Sequence, residues 1–223
     1  MRLAIIIPAL EEERSLGRIL PAVTGLGDEL VVSDGGSTDG TVATARRLGV
    51  RVVEGTPGRG PQLNRGAAAS AAEILLFLHA DSLPPAGAAE AIRRAVAAGA
   101  EGGGFQVHFE GEGGGVRLGS RLVNLRTRLT RLPLGDQGQF VSRAVFEELG
   151  GYRDWPILED LDFARRLRRR GKLVILPLAM RTSFRRYQKR GVVRTVVVNW
   201  LIWLLFALGV SPHRLARLYR VVR

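Results

Sequence analysis

The chain has no cysteine in its 223 residues. Disulfides are therefore excluded, and so is zinc held by thiolates. This fits a reducing compartment, and a cytoplasmic location is expected. Neither a GxxxxGKS/T loop nor a GxGxxG after a strand is present, which removes the usual warrant for an ATPase or a dinucleotide-binding enzyme. No internal repeat is visible. No long apolar run opens the chain: MRLAIIIPALEEE turns acidic at once, and it predicts a first strand rather than a signal peptide.

Acid is scarce in one half. Residues 1–115 carry 10 basic and 14 acidic side chains, whereas residues 116–223 carry 23 basic and 7 acidic, within an overall charge of +12. The first half has no polyanion-binding character. The second could meet phosphates or anionic lipid. Its arginines are interleaved with aliphatics more than with stacking aromatics, which argues against nucleic acid.

What is present is an alternation. RLAIIIPA, ELVVS, VRVVEG and EILLFLHAD read as strands. SLGRILPAVTG, DGTVATARRLG, LNRGAAASAA and PPAGAAEAIRRAVAAG read as helices, with GTPGRGPQ as a loop. Such an order predicts an α/β fold with a mostly parallel central sheet and helices on both faces. The Gly-rich EGEGGGVRLGS marks a change of character. A basic helical stretch follows it, then LGDQGQFVSRAVFEELGGY, then a helix in WPILEDLDFARRLRRRG, then the strand KLVILP.

In open α/β sheets ligands sit beyond the carboxyl ends of the strands. Polar clusters fall at those ends: Glu11 to Glu13, Asp34 to Asp39, Arg59 to Asn64, and His79 to Ser82. Carboxylates suit a divalent cation bridging a diphosphate, and backbone N–H groups of a Gly-rich turn before a helix suit anions. The residues alone leave alternatives open. SDGGSTDG could be only a turn, HADSLP only a connection, and His79 a packed strand-end histidine.

The order PALEEERSL, VVSDGGSTDGT, GRGPQLNRGA, LLFLHADSLPP, GDQGQFVSRAVFEELGGY and ILEDLDFARRLRRRG resembles the family-2 glycosyltransferases of the GT-A fold, over roughly residues 1–180. The resemblance implies a GT-A, Rossmann-like domain. Residues 1–110 would form its nucleotide-sugar-binding half and 116–184 its acceptor and catalytic half, ahead of a helical tail over 185–223. It implies an inverting transfer from a UDP- or GDP-type sugar with Mn²⁺ or Mg²⁺. Pro8, Ala9, Glu11 and Asp34 would line the nucleotide, and Arg59 and Asn64 the nucleotide and diphosphate. Gly35 stands where many members carry a second aspartate. The family's DxD motif reads His79-Ala80-Asp81, with Asp81 and His79 as metal ligands. Glu159 and Asp160 match the ED pair, with Asp160 as general base. Asp136 and Gln137 would sit near the donor or acceptor sugar. Asp39 and Asp162 are ranked structural. The acceptor is left unidentified, with a lipid phosphate among the candidates. Within the fold the alternative is a nucleotidyltransferase, whose lysine-bearing N-terminal loop is missing: the only lysines are Lys172 and Lys189. A non-catalytic membrane-surface protein is the other.

The tail TVVVNWLIWLLFALGVSP, residues 195–212, carries no charge. As one helix it would extend about 27 Å at ~1.5 Å per residue, short of a ~30 Å hydrocarbon core. Arg185, Arg186, Lys189, Arg190 and Arg194 precede it, and Arg214, Arg217, Arg220 and Arg223 follow. Charge at both ends predicts a helix lying at an anionic membrane surface. The competing expectations are packing on its own domain and a homodimer through Trp200 and Trp203.

Overall fold

The computed structural model describes residues 1–184 and 191–222. Arg185, Arg186, Lys189, Arg190 and Arg223 of the basic flanks lie outside the described residues. Strands β1 (Leu3–Ala9), β2 (Glu29–Asp34), β3 (Arg51–Glu54), β4 (Ile74–Phe77), β5 (Ser82–Leu83), β6 (Gly102–Glu110), β7 (Gln139–Ser142) and β8 (Leu173–Ser183) form one sheet. Their order is β3-β2-β1-β4-β7-β6-β8-β5. β1 runs parallel to β2 and β4, β2 parallel to β3, and β6 parallel to β8. β7 is antiparallel to both β4 and β6, and β5 to β8. The sheet is mostly parallel, as the alternation predicts. It also crosses the boundary expected between the halves, because β7 inserts between β4 and β6.

Helices cover both faces. They are α1 (Glu13–Val23), α2 (Thr41–Arg47), α3 (Arg59–Ala68), α4 (Ala88–Ala97), α5 (Gly114–Thr130), α6 (Arg143–Glu148), α7 (Glu159–Arg170), α8 (Val192–Ala207) and α9 (Pro212–Val222). Successive strand side chains point to opposite faces, and β1 shows the result. Leu3, Ile5, Ile7 and Ala9 pack with Leu16, Ile19 and Leu20 of α1 and Ile92 of α4. Ala4 and Ile6 pack on the other side with Leu63 of α3, Phe146 of α6 and Phe163 of α7. A strand buried on both faces is uniformly apolar, hence LAIII. Each isoleucine so buried contributes about 1.5–3 kcal/mol.

Two departures from the sequence reading, and one strand that it did not include, have physical causes. Helix α3 begins at Arg59, inside the stretch expected to be loop. Pro61 fits its first turn, where the N–H that proline lacks would have no helical acceptor. β6 begins with Gly102, Gly103 and Gly104, which look like breakers. A Cβ there would fall on the Phe140 carbonyl, the Val174 carbonyl and the Pro133 ring respectively, so glycine permits the close approach. The tail is not one helix. It breaks at Gly209, which has φ +89°, and α9 packs back on α8, with the Tyr219 hydroxyl 3.5 Å from Asn199. No helix among the described residues is long and apolar enough to cross a membrane. Trp203 and Phe206 of α8 pack on Leu132, Leu161 and Ala164, so the tail rests on its own domain.

Candidate active site

The carboxyl ends of β1, β2 and β4 share one edge of the sheet, and the loops there are cross-tied. Asp34 takes three hydrogen bonds from its own turn. Its Oδ2 accepts from the N–H groups of Gly36 (2.7 Å) and Ser37 (2.9 Å), and its Oδ1 from the Ser37 hydroxyl (2.6 Å). Glu11, held at φ +56°, accepts from the Thr38 N–H at 2.7 Å and thereby joins the first loop to the second. Asp39 accepts from the Thr41 N–H at 2.9 Å and from its hydroxyl, at the start of α2. The Thr41 hydroxyl holds the Asp39 carboxyl below the usual carboxylate range. That is the structural role expected of it.

Gln62 of α3 spans the gap between β1 and β2. Its amide donates to the Ala9 carbonyl at 2.7 Å and the Ser33 carbonyl at 2.9 Å. A Cβ at Gly35 would lie 3.0 Å from the Gln62 amide nitrogen. Glycine at this position leaves room for the Gln62 amide.

Beyond this edge lies a cavity of about 1040 Å³. Glu12, Arg14 and Arg18 of the first loop and α1 line it, as do His79 and Asp81 after β4. Arg59 enters from α3, Asp136 from the turn Gly135–Gln137, and Asp160 from α7. Arg126 of α5, Asn199 and Trp203 of α8 and Tyr219 of α9 line it as well. Arg126 lies over the Trp203 ring at 5.1 Å, which ties α5 to the tail.

Asp160 is fixed at both oxygens. Its Oδ1 accepts from the Leu161 N–H at 2.7 Å and its Oδ2 from the Gly135 N–H at 3.0 Å. Gly135 also packs against His79 so closely that a Cβ would strike the imidazole. One glycine thus brings the GDQ turn, the HAD segment and the ED pair together. Gln139 adds a second tie, donating to the Asp160 carbonyl at 3.0 Å and accepting from the buried Tyr152 hydroxyl at 2.9 Å. Leu158, just before α7, is held at φ +67°, an unfavourable conformation for leucine that turns the chain into the helix.

Five of the residues picked from the sequence line the cavity: Arg59, His79, Asp81, Asp136 and Asp160. Pro8 and Ala9 sit in β1, and neither they nor Glu11 line it. Four others do not line the cavity and are held by partners within the chain. Asp34 is 1% exposed and accepts three hydrogen bonds from its own turn. Asn64 exchanges hydrogen bonds of 2.8 Å with the Tyr152 backbone in both directions and pins that loop. Gln137 is fully buried. It accepts from Arg126 (2.9 Å) and Thr127 (2.8 Å) and donates to the Phe105 carbonyl (2.9 Å). Glu159 is 1% exposed and lies 3.0 Å from Arg59. Burial pushes its carboxyl above the usual range, against the pull of Arg59. The Arg59 guanidinium is held above its ordinary value by Glu159 first, then by Asp160 and Asp81. Asp162 bonds Arg166 at 2.7 Å within α7, which is structural as expected. The acidic first turn and basic last turn of α7 suit the helix dipole.

Arg126, Trp203, Tyr219, Glu12 and Gln62 escaped the sequence reading. Gln62 stands inside the quoted GRGPQLN and Glu12 inside PALEEERSL, and their positions were the available signal. Arg126, Trp203 and Tyr219 come from basic or apolar helices with no motif around them. No group of three or more His, Asp or Glu side chains among the described residues is placed to hold a metal. A cation here would take Asp81 and His79 and complete its shell from phosphate oxygens and water, the usual mode for a hard ion at a diphosphate.

This edge-on site on a mostly parallel sheet defines a GT-A-type α/β protein. The chain belongs to glycosyl transferase family 2, whose model matches residues 4–150. It is similar to glucosyl-3-phosphoglycerate synthase of Mycolicibacterium paratuberculosis, 38% identical over 96 residues, 37% of this chain and 29% of that protein. The matched part thus spans well under half the length of such relatives. Among solved structures it is similar to the Mycobacterium tuberculosis glucosyl-3-phosphoglycerate synthase in complex with Mn²⁺, UDP-glucose and phosphoglyceric acid. The TM-score is 0.62 at 26% identity, covering 90% of this chain and 78% of that one. The fold is also that of a Pyrobaculum calidifontis mannosyltransferase in complex with GDP-mannose and Mn²⁺. That likeness has a TM-score of 0.67 at 20% identity, covering 90% of this chain and 62% of that one.

Proposed function

We propose that this chain transfers a sugar from a nucleotide-diphosphate donor to a hydroxyl of an anionic acceptor, with inversion at the anomeric carbon and with Mn²⁺ or Mg²⁺. The observation that carries the reading is that Asp81, Asp160 and Arg59 line one cavity, with both carboxylates near enough to act on the Arg59 charge. UDP-glucose and GDP-mannose are the donor candidates, from the solved relatives.

In this reading Asp81 and His79 would hold the cation, whose chemistry would be to neutralise charge on the donor diphosphate. Arg59 adds a fixed positive charge, kept in place by buried Glu159. Asp160 is aimed by two backbone N–H groups and takes the proton from the acceptor hydroxyl. The hydroxyl oxygen forms its bond to the anomeric carbon as the bond to the diphosphate oxygen breaks, and the nucleoside diphosphate leaves. Arg126, Asn199, Trp203 and Tyr219 form the acceptor wall. A phosphoglycerate-type acceptor is preferred to a lipid phosphate, because the mycobacterial relatives are glucosyl-3-phosphoglycerate synthases.

The test is incubation with UDP-glucose or GDP-mannose, Mn²⁺ and 3-phosphoglycerate, with product mass and anomeric configuration read by NMR. A glycosylated acceptor of inverted configuration is expected. Donor hydrolysis without acceptor dependence would refute transfer, and retained configuration would refute Asp160 as the base in a single displacement.

A further inference from the structure

We infer that the outward face of α8, with the adjoining α5 and α9, docks on an anionic membrane surface. Twelve large hydrophobic side chains are exposed among the described residues, and nine of them lie on or at the ends of these three helices. On α8 and its C-cap they are Val197, Trp200, Leu201, Leu204 and Leu208, from 52% to 72% exposed. Their spacing places them on one side of the helix. The opposite side is already used: Ile202 is buried, and Trp203 and Phe206 pack on the domain. A helix apolar all round is one whose every face has an apolar neighbour. Among the described residues this face has no such neighbour.

Charge identifies the occupant. No acidic residue follows Asp162 in the sequence, and α5 has none either. Arg194, Arg214 and Arg217 are exposed around the α8 face. On α5, Arg117, Arg121 and Arg128 flank the exposed Leu118, Leu125 and Leu129. A leucine and tryptophan face fringed by arginine fits an anionic bilayer, with Trp200 as an interfacial ring. A second copy of the chain would bring the same uncompensated positive charge to the interface and be repelled. α8 has 16 residues, about 24 Å at ~1.5 Å each, so it would lie along the surface rather than cross it. Asn199 and Trp203 of the same helix line the cavity, so docking would set the acceptor wall beside the bilayer. The inference is independent of sugar transfer.

Flotation of the full chain tests it, with phosphatidylglycerol-rich vesicles, with pure phosphatidylcholine, and with the double variant Trp200→Glu, Leu204→Glu. Wild type should float with the anionic vesicles at low salt and less at high salt. The variant should partition at least about tenfold less, the loss expected for one leucine-sized burial. Its unchanged far-UV circular dichroism and melting temperature would show that it folds. Wild type that stays with the soluble fraction at low salt, or a variant that floats equally well, would overturn the inference. So would a lipid-free dimer, seen by sedimentation, that Trp200→Glu dissociates.

Discussion

Arg59 and Glu159 meet at 3.0 Å across a sequence separation of 100 residues. Arg59 opens α3 and reaches the cavity, while Glu159 opens α7 and is sealed beneath it. The pair fixes the distance between the two helices that bring Arg59 and Asp160 to the site. Removing the guanidinium leaves a buried carboxylate without its partner. Arg59→Ala should cost about 3 kcal/mol at neutral pH, the low end for breaking a buried pair, since Arg59 itself is half-exposed. Denaturant unfolding measures it, and a loss below about 1 kcal/mol would show the pair to be dispensable.

The same carboxyl gives stability a sign with pH. The folded value for Glu159 lies above its ordinary 4.5, so the folded protein holds the proton more tightly than the unfolded chain. Its contribution is greatest below 4.5 and is lost as pH rises through the raised value. Glu159→Gln should flatten this fall. Melting temperature against pH for both proteins checks it, and parallel curves would contradict the assignment.

Asp160→Asn should leave donor affinity nearly intact and reduce transfer by at least ~10²-fold, as expected when a general base is removed. The amide oxygen can still accept one backbone N–H, so the fold should persist. Single-turnover transfer and donor calorimetry separate the two effects. Turnover near wild type would place the base elsewhere, with Asp136 next.

Asp81→Ala should abolish the Mn²⁺-dependent part of donor binding while the protein still folds, because Asp81 stands beyond the end of β4 rather than in the core. Calorimetry with UDP-glucose, with and without Mn²⁺, reads this directly. An unchanged difference between the two titrations would remove Asp81 from the metal site.

Gly135→Ala should damage the site more than the fold. The added methyl would strike the His79 ring, and its effect would pass to Asp160 through the Gly135 N–H. Overpacking of this kind costs about 1–3 kcal/mol. A much larger loss of transfer than of stability is expected, and equal losses on the free-energy scale would make Gly135 merely structural.

By itself the sequence determined the class of architecture. Apolar strand segments alternating with short helices leave few arrangements besides a helix-covered, largely parallel sheet, because backbone hydrogen bonds and apolar faces must both be satisfied. Its motifs, through the family they resemble, also singled out Arg59, His79, Asp81, Asp136 and Asp160, all of which line the cavity. Which polar side chains face a ligand and which serve the chain was decided by tertiary contacts. Asp34, Asn64, Gln137 and Glu159 carry the same chemistry as the residues that line the cavity. Each has a partner within the chain, in its own turn for Asp34, up to 32 residues away for Gln137, and 88 and 100 away for Asn64 and Glu159. The glycines of β6 were unreadable for the same reason: what they make room for, the carbonyls of Phe140 and Val174, lies on other strands. Arg126, Trp203 and Tyr219 have no local pattern, since only the packing of α5 and the tail around the sheet edge turns them toward the cavity.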